Sequence, residues 1–308
     1  MGRIAEALKR AQQERQQQLS AHPLPDWQRS GISFKADESR SNDFVRSHAA
    51  ATTLNIPTSL SQSPSLQAVG STVAPIPVDH IGPDVVMLHD ANCEIAEKYR
   101  SVRTRLITAN PGGNSRIYAV TSILPHEGRT TTTANLGFCL AELRHVRVAM
   151  IDLDFRQCGL SAACQANDAP GIAEVLRGEK TLSQICTPVV RNNLHLIPAG
   201  QLGTDSPSDL LAGDRLSRLF REINERFHYA FVDTPAIHKV ADMGLIGPLC
   251  HSILMVIRMN RTPEPLLRRC VKMLQANQLT IAGCILAGYE EHAMLAGDGQ
   301  EYGANGDG

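Results

Sequence analysis

A glycine-containing turn between a short apolar run and a helical pattern is the first candidate for chemistry in this sequence. The segment 121–134 reads T-S-I-L-P-H-E-G-R-T-T-T-T-A, follows the apolar run Ile117–Val120 and leads into helical spacing that reaches Leu143. A strand, a tight turn and a helix in that order place backbone N–H groups at a helix N-terminus, where the helix dipole favours an anion. The segment is therefore predicted to bind phosphate.

Part of this segment matches the Walker A pattern of phosphate-binding loops, G-x-x-x-x-G-K-[ST]. Gly128, Arg129 and Thr130 occupy its last three positions, so an arginine replaces the lysine, and Ile123 replaces the first glycine. Arginine is a longer planar group and is not a conservative replacement for a lysine that sits between phosphates. By itself the match is partial, and the surrounding sequence decides its meaning.

Carboxylates end two further apolar runs. They are Asp152 and Asp154, in the run R-V-A-M-I-D-L-D, and Asp233, in the run Y-A-F-V-D-T. Ligands of a parallel α/β sheet lie at the carboxyl ends of its strands. Because Mg²⁺ takes one or two carboxylates together with a hydroxyl and phosphate oxygens, Thr130, Asp152 and Asp233 would supply a suitable set. The sequence therefore predicts a site for a magnesium nucleotide.

The elements that must position these residues alternate along the chain. Apolar runs that predict strands lie at 117–120, 147–154, 194–198, 229–234, 252–259 and 280–287. Helical patterns lie between and before them, at 92–108, 129–143, 171–178, 206–227, 243–249 and 263–277, of which 206–227 is one long helix or two broken ones. Continuously apolar strands that alternate with helices indicate an α/β fold of the P-loop NTPase kind, with a mostly parallel sheet flanked by helices on both faces.

The sequence divides into four predicted parts. Residues 1–18 contain good helix formers and predict a short N-terminal helix, which either docks on a partner or is exposed and marginal. Residues 19–84 are rich in Ser and Pro and predict a disordered linker, so a disordered arm precedes the domain. The P-loop domain is predicted at 85–290, and a flexible, glycine-rich tail at 291–308.

Composition limits the classes of function. The 308 residues carry a formal net charge of −1, which gives no overall basic field for nucleic acid. The eight cysteines include no C-x-x-C pair and lie mostly in apolar runs, as free thiols of a reducing cytoplasm do. No apolar stretch has the length of a transmembrane helix or the character of a signal peptide. We expect a cytoplasmic protein without a transmembrane segment of its own.

In the order of its motifs, the chain resembles the cytoplasmic bacterial tyrosine kinases (BY-kinases) of capsular and exopolysaccharide synthesis, within the MinD/ParA class of P-loop ATPases. The resemblance covers about residues 85–289. Three matches lie at the candidate site: Ser122–Thr131 resembles S-x-x-P-G-E-G-K-[ST]-T, Ala149–Asp154 resembles h-h-h-D-x-D, and Asp233–Pro235 resembles D-T-P. Two further matches lie elsewhere: Gly171–Gly178 resembles G-L-x-x-[VY]-L-x-G, and Leu196–Gly200 resembles L-x-x-G.

The resemblance implies ATP or ADP and Mg²⁺ as cofactors and assigns a role to each matching residue. Nucleotide binding would fall to the loop residues Glu127, Gly128, Arg129, Thr130 and Thr131, whose amides would hold the β-phosphate. Thr130, Asp152 and Asp233 would hold or position Mg²⁺. Asp154 would lie near the incoming tyrosine hydroxyl as a metal partner or base, with Arg129 and Asp152 as the other catalytic residues.

The resemblance also implies an assembly and a phosphate acceptor. Glu97, Arg100 and Arg103 match E-x-x-R-x-x-R, which in the family lies at the contact between subunits of a ring. We therefore expect a homo-oligomer that a membrane polysaccharide co-polymerase or activator recruits to the inner face of the plasma membrane. Of the tyrosines that family members carry near the C-terminus, this chain offers Tyr289 and Tyr302 as possible phosphoacceptors.

Two substitutions in the loop leave three functions open. Arg129 replaces the lysine, and His126 replaces a glycine, which adds strain on the order of 1 kcal/mol if that position needs a positive φ. Misplacement of a reacting phosphate costs rate more than affinity. The chain is thus a tyrosine autokinase that regulates polymerisation and export, a weak or inactive nucleotide-sensing subunit of the same system, or a MinD/ParA-type positioning ATPase. A positioning ATPase would prefer a second lysine near the start of the loop.

Overall fold

The computed structural model of the chain describes residues 73–237 and 242–288. The predicted N-terminal helix, most of the predicted linker, Tyr289 and the tail with Tyr302 lie outside the described residues. Within the described residues, no helix is both long enough and apolar enough to cross a membrane.

A seven-stranded sheet lies at the centre of the described structure. Its strands are β1 (Arg116–Ser122), β2 (Val148–Asp152), β3 (Thr187–Val189), β4 (Arg191–Ile197), β5 (Tyr229–Asp233), β6 (Ser252–Arg258) and β7 (Ile281–Ala287). Their order is β3-β4-β2-β5-β1-β6-β7, in which β3 runs antiparallel to β4 and the other neighbours are parallel. The predicted mostly parallel sheet is confirmed. The predicted strands do not include β3, because three residues that include Pro188 show no period.

Helices cover both faces of this sheet. They are α1 (Val86–His89), α2 (Glu94–Thr108), α3 (Arg129–Ala141), α4 (Gly159–Ala163), α5 (Ile172–Arg177), α6 (Leu182–Ile185), α7 (Pro207–Leu211), α8 (Asp214–Arg226), α9 (Met243–Ile246) and α10 (Glu264–Ala276). Short 3₁₀ turns occupy Val78–His80 and Gly247–Leu249. Of the two alternatives for 206–227, the structure shows two helices, because the chain leaves helical geometry at Gly213.

Alternate residues of each strand face opposite helical layers. Tyr118 and Val120 of β1 belong to the apolar cluster that includes α2 and α3, whereas Ile117 belongs to the cluster that includes α5 and α8. Ala119 packs with α10. Because both faces of the strands are covered, their sequences are continuously apolar instead of alternating with polar residues.

Packing begins upstream of the predicted domain start at residue 85. Ile76 bridges to Val189 at the edge of the sheet, and both Ile76 and Ile81 are buried in the cluster that includes α3. The side chain of Asn135 on α3 accepts a hydrogen bond from the backbone N–H of Met87 at 3.1 Å. The end of the predicted linker is thus part of the packed domain, because its two isoleucines provide apolar anchors within a proline-rich stretch.

The parallel register brings the candidate residues together. Asp152 at the end of β2 is paired with Asp233 at the end of β5, and Asp233 is also paired with Val120 of β1. The phosphate loop predicted from the sequence leaves β1 two residues later. The sheet therefore places both carboxylates beside the loop.

Candidate active site

The loop between β1 and α3 has a backbone shape that requires positive φ at two positions. Gly128 precedes the first residue of α3 with φ of 96°, and His126 has φ of 62°. Glycine adopts this conformation without steric cost, whereas a side chain such as that of histidine costs about 1 kcal/mol or more. The strain energy of the loop is therefore located at His126, the position where the sequence has a histidine in place of the glycine of the family pattern.

Glu127 stabilises the loop from inside. One of its carboxylate oxygens accepts hydrogen bonds from the backbone N–H groups of Ile123 at 2.9 Å and Leu124 at 3.0 Å. The other accepts a hydrogen bond from the hydroxyl of Thr262 at 2.5 Å. The side chain is fully buried, so what Glu127 offers a ligand is its backbone.

Arg129 is buried and paired with two carboxylates. Its Nη2 donates to Oδ2 of Asp154 at 2.5 Å and to Oε1 of Gln157 at 3.0 Å, and its Nε lies 3.6 Å from Oδ1 of Asp233. The residue is 4% exposed. Arg129 occupies the lysine position of the loop, but in this state its charge is matched by carboxylates of the neighbouring strands.

Thr130 and Asp233 form the pair that best fits a divalent cation. The hydroxyl of Thr130 donates to Oδ2 of Asp233 at 2.6 Å. Among the described residues, Oδ1 of Asp233 accepts no hydrogen bond. Desolvation raises the pKa of Asp233 well above its usual range, and Asp152 adds to this, while Thr130 and Arg129 act in the opposite direction. A buried carboxylate that has an oxygen free of hydrogen bonds and lies beside a hydroxyl is a good ligand pair for Mg²⁺.

Both carboxylate oxygens of Asp152 accept hydrogen bonds from neighbouring residues. Its Oδ2 accepts hydrogen bonds from both the backbone N–H and the hydroxyl of Ser161 at 2.8 Å, and its Oδ1 accepts one from the backbone N–H of Asp154 at 3.1 Å. Burial raises the pKa of Asp152 to about 6, against the hydrogen bonds from Ser161. Both oxygens of Asp152 are therefore occupied by hydrogen bonds, unlike those of Asp233. Sequence reasoning missed Ser161, since nothing in a single sequence marks it.

Asp154 closes a turn at the end of β2. Its Oδ1 accepts hydrogen bonds from the backbone N–H groups of Gln157 at 3.2 Å and Arg156 at 3.3 Å, and its Oδ2 pairs with Arg129. The side chain of Gln157 returns to the same arginine. Gln157 was not predicted as a site residue, because only the fold of this turn brings it to the loop.

A cleft of about 230 Å³ opens over the loop. It is lined by His126, Gly128, Arg129, Thr130, Thr131, Gln157 and Arg258. Four of these were predicted to bind nucleotide from the sequence, whereas Gln157 and Arg258 come from other strand ends.

These residues fit a magnesium nucleotide. The 13-residue helix α3 begins under the cleft, so its first N–H groups and its dipole favour a phosphate there. Across residues 73–237 and 242–288, no group of three His, Cys, Asp or Glu side chains is arranged to hold a metal ion by itself. Mg²⁺ suits such a site, since it commonly keeps water and takes phosphate oxygens together with one or two protein ligands.

The predicted subunit-contact residues form a network within the chain. Arg100 binds Glu142 through Nε at 3.2 Å and Nη2 at 2.7 Å, and its Nη1 donates to Glu97 at 2.5 Å. Arg103 donates to the same Glu142 at 2.5 Å. The network joins α2 to the end of α3, and Glu97 is its most exposed member. A role between subunits stays a prediction.

The fold and the site define the class of the protein. A parallel sheet with a loop over a helix N-terminus and carboxylates on the next strand ends is the arrangement of a P-loop ATPase. In agreement, residues 119–261 match the family model described as an AAA domain.

The known relatives narrow this class. The chain is 31% identical over 175 residues to the succinoglycan biosynthesis transport protein ExoP of Rhizobium meliloti (strain 1021), across 56% of this chain and 22% of ExoP. It is 26% identical over 208 residues to the tyrosine-protein kinase CpsD of Streptococcus agalactiae, across 67% of this chain and 89% of CpsD. The solved BceF tyrosine kinase domain is 25% identical with a TM-score of 0.55, across 70% of this chain and 90% of that domain.

The chain is thus similar to the bacterial tyrosine kinases among the P-loop ATPases, as its motifs predict. It spans 26–27% of the length of the first curated relatives it matches.

Proposed function

We propose that the protein binds Mg²⁺–ATP in the cleft over the loop and acts as a tyrosine autokinase that regulates exopolysaccharide or capsule polymerisation and export. The observation that carries the proposal is the hydrogen bond between Thr130 and Asp233 at the N-terminus of α3. It joins a hydroxyl and a carboxylate, both suited to a magnesium ion, where a phosphate would bind.

In this proposal the chain mainly positions the reactants. The N–H groups of residues 128–131 hold the phosphates, and Thr130 and Asp233 hold the cation. Bound Mg²⁺ would neutralise part of the negative charge of the phosphates. Phosphoryl transfer relies largely on such positioning and charge neutralisation. Asp154 accepts the proton of the tyrosine hydroxyl once Arg129 has exchanged its carboxylate for phosphate oxygens, which a guanidinium can bind bidentately.

A second function is favoured by the pairing of Arg129 with Asp154. The proposed base is occupied by the residue that replaces the lysine, at 2.5 Å and away from water. A protein in which this pair persists would bind nucleotide and transfer phosphate slowly or not at all. It would then act as a nucleotide-sensing assembly subunit of the same system.

The binding part of the proposal predicts a loss of nucleotide affinity in Thr130→Ala. The variant removes the hydroxyl beside Asp233, so Mg²⁺–ADP should bind on the order of tenfold more weakly, by calorimetry. Thr130→Ser keeps the hydroxyl and should stay within about threefold of the wild type. A wild type whose melting temperature does not change in millimolar Mg²⁺–ADP would sink the site assignment.

Phosphotyrosine formation separates the two functions. The protein is incubated with labelled ATP and Mg²⁺ and probed for phosphotyrosine, with Asp154→Asn and Arg129→Lys in parallel. An autokinase labels the wild type and loses the label in Asp154→Asn, since the general base contributes about 10²–10⁴-fold. Label that forms only in Arg129→Lys identifies the nucleotide-sensing subunit. If neither the wild type nor Arg129→Lys is labelled, with Tyr289 and Tyr302 intact, the result counts against phosphoryl transfer by the wild type and against its recovery in the lysine variant.

The proposal includes an assembly and a location. We infer a homo-oligomer that uses Glu97, Arg100 and Arg103, and recruitment to the inner face of the plasma membrane by a polysaccharide co-polymerase or activator. The name of ExoP, a transport protein of succinoglycan biosynthesis, supports a polysaccharide system over the positioning ATPase. The lack of a second lysine near the start of the loop supports the same choice.

A further inference from the structure

A second arginine, which belongs to no motif, lies at the cleft. Arg258 is the last residue of β6, and the register pairs Ser122, the last residue of β1, with Val256. Arg258 therefore lies two positions past the end of β1, beside the loop that follows it. Its exposed side chain lines the cleft together with Gly128 and Thr130.

The turn that carries Arg258 is fastened to the loop. The hydroxyl of Thr262 contacts both the buried carboxylate of Glu127, at 2.5 Å, and the backbone carbonyl of Arg258, at 3.3 Å. Nη1 of Arg261 donates to the backbone carbonyl of His126 at 3.2 Å. The contacts of Arg261 and Thr262 join the end of the turn to the loop, and the contact from Thr262 to the carbonyl of Arg258 ties the start of the turn to that end.

The two arginines that line the cleft differ in whether their charge is already paired. The charge of Arg129 is matched by Asp154 at 2.5 Å and by Asp233 at 3.6 Å. The described residues, in contrast, provide no hydrogen bond or ion pair to the guanidinium of Arg258. A polyphosphate brings several negative charges into a site whose loop arginine is already paired, so a second guanidinium would add to the neutralisation that Mg²⁺ supplies.

We propose that Arg258 binds the polyphosphate of the nucleotide held in the cleft and supplies the charge that Arg129 does not provide while it is paired with Asp154. Guanidinium groups bind phosphate oxygens bidentately and stay charged at all relevant pH values. The inference rests on the proposed nucleotide binding but adds a residue from β6, on the other side of the loop from Asp152 and Asp233.

The test compares charge loss at Arg258 with charge loss elsewhere in the full chain. Arg258→Gln should raise the Kd of Mg²⁺–ADP and of inorganic pyrophosphate on the order of tenfold in calorimetry, and Arg258→Lys should lie between it and the wild type. Arg221→Gln, on the exposed face of α8, removes the same charge and should leave both Kd values unchanged. The melting temperature of ligand-free Arg258→Gln should equal that of the control; a selective drop would point to a structural role and overturn the inference.

The outcomes separate this inference from the proposed function. If the wild type binds Mg²⁺–ADP and the two glutamine variants bind it equally well, Arg258 is not a phosphate ligand and nucleotide binding stands. If the wild type binds pyrophosphate but no ADP, the proposed function falls, and a loss of pyrophosphate binding in Arg258→Gln still supports the inference. A wild type that binds neither ligand overturns both.

Discussion

Replacing Arg129 with methionine will lower the free energy of unfolding by about 3–5 kcal/mol at pH 7, in the absence of nucleotide and Mg²⁺. The side chains of Arg129, Asp154 and Asp233 are 5%, 3% and 0% exposed. Removing the cation leaves buried carboxylates without a counter-charge, and this costs far more than losing a surface ion pair. Urea denaturation in EDTA measures the effect.

The size of this loss will depend on pH. Burial raises the pKa of Asp152 to about 6 and that of Asp233 well above the value of 3.8 expected in the unfolded chain. The folded state then binds protons that the unfolded state has released, so these groups lower stability increasingly as pH rises from about 4 through their folded pKa values. Arg129 acts against this rise at Asp233, so its loss raises the pKa of that carboxylate further. The deficit of Arg129→Met should therefore be largest at pH 7 and shrink toward pH 4.

Two variants make the result specific to the ion pair. Arg221→Met removes an exposed arginine of α8 and should change stability by no more than about 0.5 kcal/mol. Arg129→Met combined with Asp154→Asn removes both members of the closer of the two ion pairs of Arg129 and should recover part of the loss, as coupled neighbours do. If the loss of stability in Arg129→Met changes neither with pH nor on adding Asp154→Asn, packing and not charge explains it.

Gly171→Ala will lower the free energy of unfolding by about 3 kcal/mol, measured by urea denaturation. A Cβ atom at Gly171 would lie 2.2 Å from the carbonyl oxygen of Pro198 and 2.3 Å from the backbone nitrogen of Gly200. Both are backbone atoms that cannot rotate away. Making room would disturb the hydrogen bond of 2.9 Å from the N–H of Ile172 to that carbonyl, which docks α5 on the end of β4.

The control for this glycine is Gly244→Ala. Gly244 is exposed in α9, and a Cβ atom there would meet nothing within 4 Å. The substitution should change stability by no more than about 0.5 kcal/mol, since alanine also favours helix. Equal effects of the two substitutions would contradict the clash at Gly171.

The location of the site was determined by the sequence alone. Continuous apolar runs predict buried parallel strands, and parallel strands bring their carboxyl ends to one edge of the sheet. The residues that follow three such runs, Thr130, Asp152 and Asp233, were therefore expected to meet. In the structure Thr130 and Asp233 are 2.6 Å apart, and Asp152 is paired in register with Asp233.

The hydrogen-bond and ion-pair partners of the other predicted side chains were decided by the tertiary structure alone. Arg129 reaches Asp154, 25 positions away, and Arg103 reaches Glu142, 39 positions away. Glu127 turns inward to Thr262, 135 positions away. The sequence predicts which residues share an edge of the sheet, but the direction of a side chain depends on what packs around it. That is why the sequence predicted Arg129 as a catalytic phosphate-binding residue, while the fold holds it on a carboxylate and places Arg258 at the cleft.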